Sequence, residues 1–375
     1  MTTTAPLLEA LIALPSVNPA LIEPGSSQAG ERRVAEFLAA LAAKAGLDVE
    51  LREVFPGRPN LLVRLSPSGR TRRRILLAPH LDTVNAAEPQ FTPRRQGGRL
   101  YGRGACDTKG SAAAMFDAVR DLALAGPRPA ETEIVFAGLV DEENGQAGSR
   151  ALVSEGFQAD LAIVGEATRL RVVTAHKGSL WLDLETRGKC AHGSRPELGR
   201  NAVHLMARIV VWLETAYAAR LRARRHPLLG CATVSVGTIH GGTQPNIVPD
   251  RCAIRIDRRT LPGETEASVR RELRLWLRRE KLAAALPKGR SVTCLPLQTD
   301  PRLPLVAQLI RSVGRGRHAG AQYFCDASVL AQGGIPSVVF GPGDISQAHT
   351  ADEWVALASL ERARAGLSRF LKALP

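Results

Sequence analysis

The sequence predicts an α/β fold: a mixed, mostly parallel sheet flanked by helices, interrupted by an inserted ferredoxin-like α+β domain. Three observations carry this. Short runs that are apolar at nearly every position, at 75–79, 133–140, 159–164 and 335–340, read as strands buried on both faces, as in a parallel sheet covered by helices. From residue 172 the pattern changes to clean alternation, and the elements follow the order β-α-β-β-α-β of a split βαβ unit. After residue 300 the first pattern resumes. The expected domains are therefore 1–175 and 291–375, which together make one α/β unit, and 176–290, which is the insertion.

Length and charge narrow the function classes. A chain of 375 residues that is 45% hydrophobic can bury two cores. No run approaches the roughly 20 apolar residues of a membrane helix. The first ten residues have no basic stretch ahead of an apolar one, and Glu9 interrupts them, so no secretory leader is expected. Six scattered cysteines form neither a disulfide framework nor a thiolate zinc site, which points to a reducing, cytoplasmic compartment. The net charge is +14, and residues 176–290 hold 22 lysines and arginines against 10 acids. Such a segment can mark a nucleic-acid binder. With aromatic residues at only 4% there are few stacking platforms, and the arginines at 222, 224, 225, 270, 271, 274, 278 and 279 read as solvated helix faces. Neither a nucleic-acid nor a membrane partner is expected.

Each element has its own local warrant. Helical periodicity covers 5–15 and 31–46, with Gly46 as a stop. Strands are expected at 49–54 and 60–65, then at 75–79. Residues 85–100, with Pro89, Pro93, Gly97 and Gly98, read as a loop. The alanine-rich stretch 111–119 is helical. From residue 172 on, strands are expected at 180–186, 233–238, 252–258 and 291–295, and helices at 201–223 and 265–283. Helices at 303–313 and 356–373 enclose the strand at 335–340.

The strand ends are where chemistry-bearing residues collect. The first buried strand delivers His80 and Asp82, two apart and so able to face one site. The second ends in Asp141-Glu142-Glu143, three acids whose mutual repulsion calls for solvent or a cation. The third delivers Glu166, and His349 follows the strand at 335–340. Between them lies Gly102-Arg103-Gly104-Ala105-Cys106-Asp107, whose Asp107, just ahead of a helix, would by itself read as its cap. Each motif alone is common. Together, at the carboxyl ends of strands in one sheet, they form a nitrogen and oxygen donor set suited to zinc, cobalt or manganese, and large enough for two ions sharing a carboxylate.

In this order the motifs His-x-Asp, Gly-Arg-Gly-x-x-Asp-x-Lys-Gly, Asp-Glu-Glu, Gly-Glu and Gln-Ala-His resemble those of the co-catalytic zinc peptidase and deacylase family. That family includes acetylornithine deacetylase, succinyl-diaminopimelate desuccinylase, carboxypeptidase G and aminoacylase. The resemblance runs from about residue 55 to 355 and implies a zinc-exopeptidase-like catalytic domain. It implies two divalent ions, zinc first and cobalt as the other candidate. His80 and Glu166 would hold one and Glu143 and His349 the other, with Asp107 bridging, followed by a cis peptide. Glu142 would be the general acid/base and Asp82 the orienter of His80. The insertion would be a dimerisation or lid domain, and the protein a homodimer.

Within the insertion, the resemblance matches His192 to a histidine that crosses into the partner's active site. It matches Asn246 and Arg259 to substrate-binding positions. Read from the residues alone, His192 is a surface loop residue, and Arg258 lies beside Arg259. The histidines at 176, 204, 226, 240 and 318 are read as structural or exposed. The implied reaction is hydrolysis of an N-acyl amino acid or short peptide. Gly165-Glu166-Ala167-Thr168 and Gly341-Pro342-Gly343 most resemble the acetylornithine deacetylase type. Desuccinylase or carboxypeptidase G-like activity is the alternative, and a basic nucleic-acid-binding protein without enzymatic activity is the remote one.

Overall fold

The computed structural model describes residues 3–287, 293–314 and 316–375. The chain divides into two compact units: Met1–Thr174 with Thr299–Gly320 and Cys325–Pro375, and Ala175–Gln298 with Ala321–Phe324.

The sheet of the first unit runs Asp48–Phe55, Arg58–Leu65, Thr132–Gly138, Arg73–Pro79, Leu161–Gly165, Ser337–Val339 and Val173–His176, the last strand carrying the chain toward the second unit. The four strands from Thr132–Gly138 to Ser337–Val339 are parallel, and the flanking pairs are antiparallel. After Arg73–Pro79 the chain places its next sheet strand on one side, at Thr132–Gly138, and the following one, Leu161–Gly165, on the other. That reversal opens a crevice at the carboxyl edge, where open α/β sheets take their ligands.

Helix Lys109–Ala125 covers this part of the sheet. Its run Ser111-Ala112-Ala113-Ala114 is fully buried, because small side chains let the helix approach closely. The same constraint appears at Gly341, where an added Cβ would lie 2.1 Å from Ser111 Oγ. Phe116 and Phe136 meet edge to face, with ring centroids 5.5 Å apart. Helix Arg32–Lys44 ends where Gly46 adopts φ +71°, and Leu47 N then donates back to Ala42 O, as in a Schellman cap. Residues 85–100 are more ordered than their turn signals suggested. Glu88–Phe91 forms a 3₁₀ turn, and Arg94–Gln96 and Arg99–Tyr101 form a hairpin whose further partner is Trp354–Ala356. That partner lies far along the chain, so no local pattern could announce it.

The second unit has the order strand Gly178–Arg187, helix Ala202–Trp212, strands Thr233–Gly241 and Arg251–Thr260, helix Glu266–Arg279, strand Thr293–Cys294. The sheet order is second, third, first, fourth, all antiparallel, which is ferredoxin-like. Leu180, Leu182, Leu184, Ile254 and Ile256 point to the helices, against Met206, Ile209, Trp212 and Leu273. The expected helix at 201–223 contains a π turn at Leu213–Tyr217. Of the expected strand at 291–295, Ser291 and Val292 lie outside the described residues. Arg270 departs from its expected place on a solvated face: it is buried, and its Nε donates to Glu266 at 2.6 Å.

Among the described residues no helix is long and apolar enough to cross a membrane. Among the described residues no disulfide is formed.

His176 is fully buried; its Nδ1 donates to the Lys177 carbonyl at 2.9 Å and its Nε2 has no partner. Burial lowers its pKa to about 4. The folded state therefore resists taking up the proton that the unfolded chain accepts near pH 6.5, so stability falls as pH drops from 6.5 toward 4. This group alone contributes about 3 kcal/mol of that loss. Urea midpoints measured from pH 7 to 4 should show the decline, and His176→Gln should flatten it; an equal slope in both proteins would rule out His176 as its source.

Candidate metal centre

The carboxyl edge of the parallel strands collects the acids and imidazoles named from the sequence. His80 follows Arg73–Pro79 directly and is almost completely buried. Its Nδ1 lies 3.0 Å from the backbone oxygen of Asp82 and 3.3 Å from Asp82 Oδ1. With the Nδ1 proton turned to Asp82, Nε2 is aimed at Asp107 Oδ1, 3.1 Å away, with Glu166 Oε1 at 3.8 Å. The other oxygen of Asp107, Oδ2, lies 3.4 Å from His349 Nε2, which is itself 3.1 Å from Glu143 Oε2. The two oxygens of Asp107 thus face two different imidazoles. Among the described residues, two sets of side chains bring one ligand atom each within 4.8 Å of the others: His80, Asp107 and Glu143, and His80, Glu142 and Glu166.

Asp107 does not cap the helix that follows it: Thr108 occupies that position, and the Asp107–Thr108 peptide is cis. The lysine of the same motif has no part in the cluster. Lys109 is fully buried, its pKa lowered to about 7 by burial, and its Nζ donates to the carbonyls of Leu11 (2.9 Å) and Leu14 (2.7 Å) at the end of helix Ala5–Ile12.

Asp82 holds the cluster from behind. Its Oδ1 accepts the amide of Glu142 and its Oδ2 the amide of Glu143, both at 3.1 Å. One carboxylate thereby orients His80 and also fixes the backbone of the two glutamates. These hydrogen bonds, His80 first among them, outweigh burial and keep the Asp82 carboxyl below its ordinary pKa. Behind it stands a network that sequence patterns did not reveal. Asn18 Nδ2 donates to Asp82 Oδ2 (2.8 Å) and to Asp141 Oδ1 (3.0 Å). Arg58 makes a two-pronged contact with buried Glu31, and Glu31 accepts the amide of Asp141, which sits at φ +68°. Asn18 lies in Pro15-Ser16-Val17-Asn18-Pro19, a stretch with only turn character.

The electrostatics call for a cation. Burial pushes the carboxyls of Glu142 and Glu166 well above the ordinary range; for Glu166 the nearby Asp107 adds to this, and for Glu142 it is Glu166 that adds while His80 opposes. Burial and Asp107 likewise raise Glu143. Burial alone would lower His80, but Asp107 and Asp82 overcome it and hold the imidazole well above its usual value. A buried, oxygen-rich cluster short of positive charge is the setting that a divalent ion satisfies. Neither Cys106 nor Cys325 belongs to either set, and burial pushes both thiols up.

In the second unit, the backbone brings His192 beside Asn246: Gly193 N donates to Asn246 O at 2.7 Å. The ring of His192 is exposed, and Ser194 N donates to its Nδ1, which leaves Nε2 as the donor. Arg258 and Arg259 have separate fates. Arg258 is fully buried and bonded to Glu264 (2.6 Å) and Tyr217 (3.3 Å). Arg259 points to the other face of the sheet, partly exposed, with Asp257 at 2.9 Å and its guanidinium 5.7 Å from the Phe324 ring centroid.

Asn18→Ala removes the donor shared by two buried acids. It should cost about 1–3 kcal/mol, read from urea unfolding at neutral pH. An unchanged midpoint would mean that the Asn18 bridge does not hold the Asp82–Asp141 arrangement.

Comparison with known proteins is consistent with this geometry. The model of peptidase family M20/M25/M40 matches residues 76–373. The acetylornithine deacetylase of Proteus mirabilis is 31% identical over 376 residues, covering 96% of this chain and 93% of that protein. The acetylornithine deacetylase of Edwardsiella ictaluri is 30% identical over 366 residues, covering 93% and 92%. Among solved structures, a tripeptidase from Staphylococcus aureus superposes with a TM-score of 0.77 at 20% identity, covering 98% of this chain and 97% of its own. An M20 family metallo-carboxypeptidase from Sulfolobus solfataricus gives 0.74 at 19% identity, covering 99% of each. With this family match spanning most of its length and relatives at about 30% identity over nearly all of it, the chain belongs to peptidase family M20/M25/M40.

Proposed function

We propose that this chain is a metal-dependent hydrolase that cleaves the amide bond of an N-acyl amino acid, with N-acetylornithine as the first candidate substrate. The observation that carries the reaction class is the splayed contact of Asp107, one oxygen toward His80 and the other toward His349. It supports a carboxylate bridging two cations. The substrate choice rests on the relatives named acetylornithine deacetylase. Succinyl-diaminopimelate desuccinylase and carboxypeptidase G-like activities remain the alternatives.

In this reading His80 and Glu166 hold one divalent ion, Glu143 and His349 hold the other, and Asp107 serves both. Zinc is the first choice and cobalt the second, because the donors are imidazole nitrogen and carboxylate oxygen without thiolate. When bound, such ions supply Lewis acidity and lower the pKa of water from 15.7 toward about 7. Glu142 takes the proton of the attacking water and returns it to the leaving amine. Its burial suits that work, because a raised carboxyl pKa brings the acid and base forms closer to neutral pH. Asp82 keeps the Nδ1 proton of His80 in place and so keeps Nε2 a lone-pair donor. His192 offers Nε2–H to the developing oxyanion. Asn246 and Arg259 bind the substrate, Arg259 by its carboxylate; Arg258 is committed to Glu264 and Tyr217, which favours its neighbour for this role.

The second unit serves in this proposal as the dimerisation and lid domain, with His192 acting in the active site of the other subunit of a homodimer. A reducing, cytoplasmic location accords with the scattered cysteines of the sequence and is checked by cell fractionation.

The direct test is an activity panel on zinc- and cobalt-loaded protein with N-acetylornithine, N-succinyl-diaminopimelate, other N-acetyl amino acids and C-terminal dipeptides. Failure on all of them would overturn the assignment. Glu142→Ala should keep its metal and lose at least about a hundredfold in kcat; near-normal turnover would remove Glu142 from the role. Co-refolding Glu142→Ala with His192→Ala should restore activity in mixed dimers if His192 works across the interface, whereas action within one subunit leaves every site lacking one group.

A further inference from the structure

The same edge of the first unit holds an acid that no step of the reaction uses. Glu353 is 1% exposed, and all its acceptor capacity is spent on one short segment. Its Oε1 accepts the amides of Cys106 (2.8 Å) and Asp107 (2.9 Å). Its Oε2 accepts the amide of Gly104 (3.1 Å) and Arg103 Nη1 (2.6 Å). Its backbone carbonyl accepts the amide of Gly102 at 3.0 Å. A nest of backbone N–H groups closed around an anion is a rigid arrangement, since each donor is charge-assisted and none has water as a substitute. Here the anion is supplied by the chain itself, and the last amide of the nest belongs to Asp107.

The other end of the contact reaches the loop of His349. Arg103 is also buried, and its Nη2 donates to the Thr350 carbonyl at 3.2 Å while Nη1 holds Glu353. Gln90, whose carbonyl accepts Arg103 N at 2.7 Å, donates through Nε2 to the carbonyls of Thr350 (3.1 Å) and Ala351 (2.8 Å). His349 needs such an anchor. It sits at φ +63°, a left-handed backbone unusual for a side chain of this size, and its own ring is largely exposed.

We infer that Glu353 is a positioning residue: its carboxylate sets the backbone that presents Asp107 and, through Arg103, the loop that presents His349, so that both candidate metal positions depend on it. The inference rests on the ligand reading proposed above. Glu353 touches neither metal nor substrate in this role. Residues that orient ligands from behind typically change metal affinity by 10–100-fold when removed. The connectivity adds an asymmetry that simple structural support would not produce. Glu353 acts on Asp107, which both ions share, whereas the link from Arg103 to Thr350 acts on His349, which serves one.

The test uses full-length Glu353→Gln and Arg103→Lys, stripped with chelator and titrated with Co(2+). Binding is followed by visible absorption and by metal retained after gel filtration, with circular dichroism melting to establish folding. Glu353→Gln should weaken both ions by about 10–100-fold. Arg103→Lys keeps a cation beside Glu353 but cannot reach Thr350 as well, so it should weaken only the second ion. Wild-type affinity for both ions in either folded variant would overturn the inference; should Glu353→Gln fail to fold, Arg103→Lys decides. Asp107→Ala and His349→Ala are the controls. If they too bind two ions normally, the ligand reading itself is wrong; if they lose metal while the Glu353 and Arg103 variants do not, only the positioning role falls.

Discussion

The centre depends on one buried carboxylate, that of Asp82. It is enclosed by the Nδ1 side of His80, the amides of Glu142 and Glu143 and the amide group of Asn18. An ionised carboxylate without water is costly to bury unless every lone pair has a donor. Asp82 meets that condition with donors from three separate stretches of chain, so its own solvation requirement locks their relative positions. The imidazole cannot rotate, and the Asp-Glu-Glu turn cannot drift, without leaving the carboxylate short of a partner. The left-handed Asp141 at the start of that turn is held by Glu31, Arg58 and Asn18. Local backbone strain of this kind persists where the surroundings over-determine it.

Around that point the fold supplies proximity. Four parallel strands end at one edge, and the reversal of strand order about Arg73–Pro79 opens the edge where His80 emerges. The small residues of helix Lys109–Ala125 and the glycine at 341 let the layers close tightly behind it. Burial and neighbouring acids raise the carboxyls of Glu142, Glu143 and Glu166, whereas contact with His80 outweighs burial and lowers those of Asp82 and Asp107. The same low-polarity setting that penalises them unpaired makes them strong ligands for a divalent ion. The cluster is thus folded against its own repulsion by hydrogen bonds from behind, from Asp82 on one side and Glu353 on the other.

The second unit follows a different economy of forces. One face of its sheet is a conventional apolar core, and Arg258 is absorbed into that half of the unit by Glu264 and Tyr217. Arg259, one residue on, faces the other way and keeps only the partly exposed Asp257. Strand alternation therefore separates a structural arginine from an available one. The loops carrying His192 and Asn246 are joined by backbone hydrogen bonding, which holds these two residues side by side within the unit.

By itself the sequence determined the fold class and picked out the acids and imidazoles at the ends of its buried strands. Buried strands are apolar at every position, so the polar residues that end them stand out, and His80, Glu142, Glu143 and Glu166 could be named from position alone. The ferredoxin-like order was legible for the same reason, through its alternating strands. Asp107 was ambiguous, since an acid ahead of a helix is ordinarily a cap; only the tertiary structure shows it turned to His80 instead. The hairpin at Arg94–Tyr101, the bridge of Asn18 and the clamp of Arg103 and Glu353 were not legible at all. Their partners lie far apart in the chain, and a single polar residue in a turn carries no periodicity. What tertiary structure alone decided was which buried polar groups satisfy one another, because that choice belongs to the packed interior and leaves no local signature in the chain.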